Sequence, residues 1–288
     1  MIRMFAGGND RCRTDVSDTV PVPAVPVPAV PAVPAVPAIA ITSAPDRPPR
    51  APRGATPYMV TFEIFATQPA PDRWLVIGTA VLALAAVVPS AIWRLSRNAV
   101  TIAHEGGHGL IALATGRRLE GIRLHSDTSG LTVSRGRPTG PGMILTAAAG
   151  YTAPPLLGLG GAWLLASHRI TLLLWVATAL LIAMLVMIRN AYGALTVVLT
   201  GAAFLLVSWL TEPEVQAAFA YAAVWFLLLG GVRPPFELQV KRRHGGAPDS
   251  DADQLARMTH VPPAVWLFLF HAVSLCSLIG GGRWLLDP

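Results

Sequence analysis

Seven stretches of this 288-residue chain stay apolar for about the length a helix needs to cross a bilayer. They are residues 74–93, 98–116, 141–166, 170–188, 193–210, 217–232 and 264–282. Hydrocarbon offers no hydrogen-bond partners, so a crossing segment must satisfy its own backbone, as a helix of roughly 20 residues does. Composition agrees: 53% of residues are hydrophobic, 13% are charged, and mean hydropathy is +0.52, whereas a soluble domain carries about a quarter charged residues. The expected fold class is an all-α polytopic membrane protein. Because 217–232 is short and 141–166 contains Pro154-Pro155, six or seven transmembrane helices are expected.

Residues 1–57 differ in kind. The segment "PVPAVPVPAVPAVPAVPAIA" (21–40) repeats Ala-Val-Pro, and proline at that density forbids helix and favours solvated polyproline II. A disordered tail is expected over 1–57, a linker over 58–73 and a membrane domain over 74–288. No apolar core follows the first arginines, so no cleavable signal peptide is expected. The basic residues are 21 arginines and one lysine, Lys241, a bias expected of a GC-rich bacterial genome and hence of a bacterial cell membrane. Basic loops facing an anionic leaflet account for the net charge of +6, so no nucleic-acid partner is expected. Cys12 in the tail and Cys276 in the last apolar run lie in contexts too different for a disulfide or a cysteine metal site.

The loops predict orientation. Loops 117–140, 189–192 and 233–263 hold Arg117, Arg118, Arg123, Arg135, Arg137, Arg189, Arg233, Lys241, Arg242, Arg243 and Arg257. The alternate loops, 94–97, 167–169, 211–216 and 283–288, hold only Arg94, Arg97, Arg169 and Arg283. If every run is a separate crossing, the N-terminus and the long loops, including 233–263, share the cytoplasmic side.

One apolar run contains chemistry. "NAVTIAHEGGHGLIALATGRR" (98–118) places His104, Glu105 and His108 in the spacing H-E-x-x-H. Positions i and i+4 share a helix face, so both imidazoles point at one spot, as zinc ligands must. Glu105 lies about 100° further round, able to reach a water on the metal as general base. With 7 His and 6 Glu, chance produces this pattern in on the order of 0.4% of such chains. An acid at mid-helix is disfavoured by about 2.5–3.5 kcal/mol on insertion scales, so three ionisable groups there point to function rather than helix glue. His108 precedes Arg117 by nine residues, about 13 Å along a helix, inside the hydrocarbon yet within reach of water. Downstream, Ile122 and Leu124, then Leu131 and Val133, alternate around Ser129-Gly130, which predicts a short β-hairpin after the metal-binding helix. Ala99, Ala103 and Gly107 form a small-residue line suited to close helix contact.

These segments together resemble the M50 (site-2 protease) metallopeptidases, in particular the M50B-like branch. The resemblance spans 98–282 and rests on "HEGGH" followed by "ALATGRRLEGIRLHSDTSGLTVSRG", then "TAAAGYTAPPLLG" (146–158), "RNAYG" (189–193) and "DSDADQLARMTHVPPAVW" (249–266). It implies an intramembrane Zn2+-dependent endopeptidase acting on a membrane-embedded or membrane-proximal protein or peptide within the lipid bilayer, with His104 and His108 as ligands and Glu105 as catalytic base. Site-2 proteases usually take a third ligand from an L-D-G motif, which this sequence lacks; "IRNAYG" offers Asn190 there instead. Asp251 and Asp253 are the other main candidates, with Glu120, His125 and Asp127 behind them, and the resemblance favours Asp251. The departure leaves a second reading open, a non-catalytic relative with a binding or regulatory role.

Overall fold

In the computed structural model, residues 64–245, 247 and 249–287 are described. The expected tail over 1–57 lies outside them. The elements are α1 (Arg73–Val87), α2 (Ser90–Ala114), β1 (Arg118–Leu124), β2 (Gly130–Arg135), α3 (Pro141–Ala166), α4 (Ile170–Met187), α5 (Ala191–Leu210), α6 (Pro213–Arg243), α7 (Asp251–Thr259) and α8 (Pro263–Leu286). Five of these helices, α3, α4, α5, α6 and α8, are long and apolar enough to cross a membrane. A sixth crossing exists if α1 and α2, bent by 105° at a short break, are counted as one broken span. The chain is a multi-pass membrane protein with one antiparallel hairpin.

The first two apolar runs therefore do not behave as two separate crossings. The break falls at Val88-Pro89, not at the expected loop 94–97, and both Arg94 and Arg97 lie within α2. Proline cannot donate to the turn before it, so α1 stops there. In an apolar bundle its last carbonyls still need donors. Arg233 supplies them from α6: its guanidinium binds the carbonyl of Val87 and reaches the Val88 carbonyl at 3.0 Å and Ser90 Oγ at 3.2 Å. Glu237, one turn on, accepts from Arg233 Nε at 2.9 Å and from Trp93 Nε1 at 2.8 Å, and Arg97 stands 3.6 Å away. Arginines that look like loop residues are thus spent inside the bundle. The same network explains why α6 runs on through Pro234-Pro235 to Arg243, where the hydropathy pattern places the start of a long loop at 233.

The segment entering α1 packs at one end of the bundle. Gln68 donates its backbone N–H to His168 O at 2.9 Å, its Oε1 accepts from Thr171 N at 2.9 Å, and Arg169 reaches Phe65 O at 3.1 Å. The segment entering α1 therefore sits against the α3–α4 turn. The hairpin and the start of α3 lie at the other end, where Thr115 packs on Gly142. Within the bundle, residues 65–72 pack at the end that carries 167–169, opposite the hairpin.

At the centre, α3 packs against α2, α6 and α8. Glycines permit the close contacts. A Cβ on Gly107 of α2 would collide with Ala153 and stand 3.0 Å from Ala149 O, and Gly231 of α6 lies similarly against Pro155. The buried core on the far side combines Ala162, Leu165, Leu173 and Leu174 with Tyr221, Val224 and Leu228.

Two outcomes check this arrangement. With Cys12 and Cys276 replaced, single cysteines at Ala70 and Thr139, both exposed, should label with a membrane-impermeant maleimide from opposite faces of a sealed vesicle; labelling from the same face would restore two separate crossings. Arg233→Met should lower unfolding stability in detergent by about 1–3 kcal/mol, the usual penalty for stranding buried carbonyls, while leaving metal content unchanged.

Candidate metal centre

His104 and His108 project from one face of α2 towards α3, where the residue opposite is Gly150. A Cβ there would fall on the Nε2 atoms of both imidazoles, so a residue without a side chain is required. Gly150 lies nine residues into α3, about 14 Å from its first residue at 1.5 Å per residue. The imidazoles reach inward because α2 and α3 can approach closely at Gly107.

The third group arrives from outside the spans. Asp251 is the first residue of α7, and Ala252 and Leu255 bury that helix against Leu238, Ala147 and Phe270. Its Oδ2 stands 3.3 Å from His104 Nε2 and 3.3 Å from His108 Nε2, and the two Nε2 atoms are 3.2 Å apart. These three atoms form a near-equilateral triangle. Ligands bound tetrahedrally at 2.0–2.1 Å from a zinc ion are separated by about 3.3–3.4 Å.

Three further observations fit a metal. First, neither Asp251 oxygen makes a hydrogen bond although the residue is fully buried, an arrangement that is costly for a carboxylate without a cation. Second, His108 Nδ1 lies 2.6 Å from Thr146 O. A carbonyl only accepts, so Nδ1 carries a proton, and in the neutral ring Nε2 presents a lone pair. Third, the missing Cβ of Gly150 leaves space beside both Nε2 atoms. His104 is seated by aromatic contact: Tyr151 meets it edge-on at 4.9 Å and stacks in turn on Phe270 at 5.0 Å. The side chains of His108 and Asp251 are sealed, whereas His104 keeps 14% exposure, so the site opens on the His104 side.

Glu105 turns away from the triangle's centre towards the hairpin. It is buried, and its Oε2 accepts from Thr132 Oγ1 at 2.6 Å. Gly130 leaves room for it, since a Cβ there would overlap the carboxylate. The hairpin register pairs Ile122 with Thr132 and Leu124 with Gly130. Its inward face thus carries Ile122, Leu124 and Thr132, with Leu131 and Val133 on the other side.

The other candidates have different partners. Asn190 behaves as a piece of strand: its Nδ2 donates to Leu124 O at 2.6 Å, and its Oδ1 accepts from Leu124 N at 3.2 Å. With Arg189 N bonded to Ile122 O at 2.9 Å, residues 188–190 cover the outer edge of β1. Asp253 pairs with Arg242 on the outer side of α7. Glu120 pairs with Arg135 across the hairpin. Asp127 sits in the hairpin turn, where the Ser129 hydroxyl and amide hold its carboxyl below the ordinary range, and His125 stands 3.4 Å from Ser129 Oγ. His271 meets Gln239 Oε1 at 2.8 Å and stacks on Phe236. Thr132, Thr146 and Gly150 carry no spacing signal of their own; only the parity of the hairpin register could have pointed to Thr132.

No curated protein and no solved structure matches the chain. The Peptidase M50B-like family model matches residues 77–281. That match runs from within α1 to within α8 and takes in the hairpin, His104, Glu105, His108 and Asp251, and on it the chain belongs to the M50B-like peptidase family.

Proposed function

We propose that the protein is a zinc metalloprotease that works within the membrane, cleaving membrane-embedded or membrane-proximal protein segments. The observation that carries this reading is the triangle of His104 Nε2, His108 Nε2 and Asp251 Oδ2 at 3.2–3.3 Å beside a buried glutamate, in a chain of a peptidase family. Zinc held there by His104, His108 and Asp251 would polarise a peptide carbonyl and lower the pKa of water towards about 7.

The chain's own groups do the rest. Thr132 holds Oε2 of Glu105, and Oε1 makes no hydrogen bond among the described residues; that oxygen takes the proton from the attacking water and returns it to the leaving amine. Thr146 keeps His108 in the tautomer that ligates. The half-open His104 side admits the scissile segment. A helical substrate must unwind to expose its carbonyl, and an unwound backbone needs partners in a dry site. β1 is covered by 188–190, whereas no third strand pairs with β2 among the described residues; β2 thus offers an edge to which an extended substrate can add. Arg117, Arg118, Arg135, Arg137, Arg189, Lys241, Arg242, Arg243 and Arg257 belong to the hairpin end and its adjoining loops. The positive-inside rule puts that end in the cytoplasm and the segment entering α1 on the opposite side.

Purified in detergent, the wild-type chain should carry about one zinc. His104→Ala with His108→Ala, Asp251→Asn, and Gly150→Ala (whose methyl fills the ion's space) should each lose it, as read by elemental analysis; zinc retained in all three would remove the site. Glu105→Gln should keep zinc yet cut a quenched-fluorescent single transmembrane segment at least about 10²-fold more slowly, the usual contribution of a general base. Cleavage at the wild-type rate would end the assignment, and zinc binding without cleavage by the wild type would mark a non-catalytic relative.

A further inference from the structure

The three groups of the triangle come from elements of unequal rigidity. His104 and His108 ride on α2, a 25-residue helix packed along α3. Asp251 rides on α7, which has nine residues and would not hold its shape alone, since isolated helices below about 12–15 residues are marginal in water. Where Asp251 stands therefore depends on what ties α7 down.

One tie is apolar. Ala252 and Leu255 press α7 onto Leu238, Ala147 and Phe270. Such contact is non-directional and leaves rotation and sliding of the short helix weakly restrained. Polar ties hold it as well, among them Gln254 Nε2 to Asp249 O at 3.2 Å and Trp266 Nε1 to Thr259 Oγ1 at 3.2 Å, but the tie at the first turn lies on the outer face. Asp253, two residues beyond Asp251 and about 200° around the helix, sends its carboxylate to the guanidinium of Arg242 at the end of α6. The same carboxylate accepts from Ser250 Oγ at 2.5 Å, and Arg242 stands 3.5 Å from that hydroxyl. Ser250 is the N-cap of α7: its hydroxyl accepts from Asp253 N at 3.4 Å and its carbonyl from Gln254 N at 2.9 Å. The ion pair thus joins the last turn of α6 to the cap of α7, one residue from Asp251.

We propose that Arg242 and Asp253 are positioning residues of the metal site, holding the first turn of α7 so that Asp251 stands at ligand distance from both imidazoles. The proposal rests on reading His104, His108 and Asp251 as a zinc site. It makes α6 and α7 a unit: α6 supplies the anchor, α7 the ligand, and zinc affinity is set by a contact that never touches the ion. Outer partners of metal ligands typically govern 10–100-fold in affinity.

The test measures zinc affinity of the full chain in detergent by chelator competition, with the visible spectrum of the cobalt-loaded protein as a second readout. Asp253→Asn and Arg242→Ala should weaken zinc about 10- to 100-fold and move the cobalt spectrum towards that of Asp251→Asn. Arg242→Lys should recover most of the affinity, and Asp249→Asn, which keeps the carbonyl that accepts from Gln254 and loosens only an exposed 3.8 Å pair with Arg257, should leave it unchanged. Affinities of Asp253→Asn and Arg242→Ala within about twofold of wild type, well below the range for such partners, would overturn the proposal. An equal loss in Asp249→Asn would also overturn it, reducing the effect to bulk charge. If Arg242→Ala fails to fold, the isosteric Asp253→Asn decides. A wild-type chain that binds no zinc removes the site itself and the clamp with it; zinc-binding wild type with unaltered variants removes the clamp alone.

Discussion

Ionisable groups inside an apolar bundle must find one another, because hydrocarbon neither solvates nor screens them. This constraint organises the molecule at two places. At the α1–α2 break, Arg233, Glu237, Arg97 and Trp93 form a closed polar set around the carbonyls that Pro89 leaves without donors. At the metal centre, His104, His108 and Asp251 converge, and the carboxylate there accepts no hydrogen bond. The first set is complete within the protein. The second has the spacing of a ligand set and room for a cation.

The bundle itself contributes a scaffold and the helical histidines; the finishing groups come from elements that cannot span a membrane. The hairpin brings Thr132 to Glu105, and α7 brings Asp251 to both imidazoles. Each short element is held by side chains that imitate backbone or cap it: Asn190 pairs with Leu124 as a strand would, and Ser250, Asp253 and Arg242 close the start of α7. A spanning helix is rigid but presents few polar groups at low cost. Short polar elements folded back against it supply those groups without lengthening any charged stretch in the hydrocarbon.

Much of this was legible in the chain. Apolar length marked the helices, because the bilayer imposes its thickness on sequence, and i,i+4 spacing marked His104 and His108, because helix periodicity is local. The hairpin was legible from its alternation and its Ser129-Gly130 turn. Its register was not: pairing of Ile122 with Thr132 and of Leu124 with Gly130 turns Thr132 inward. The Val88-Pro89 break was hidden because hydropathy reads charges such as Arg94 and Arg97 as loop, whereas both lie within α2, Arg97 beside Glu237 of α6.

By itself, the sequence determined a membrane protein with a histidine pair and an acid at mid-helix, since hydrophobic length and helical period are properties of neighbours along the chain. Only the tertiary structure decided which carboxylate completes the triangle. Spacing alone does not separate Asn190, Asp251 and Asp253 as third partners, although the family resemblance favours Asp251; they are separated by which side of a strand or a nine-residue helix each occupies, and that is fixed by packing against residues far away in the chain. The end of the bundle against which the segment entering α1 packs was decided the same way, by contacts of Gln68 and Arg169 across a hundred residues.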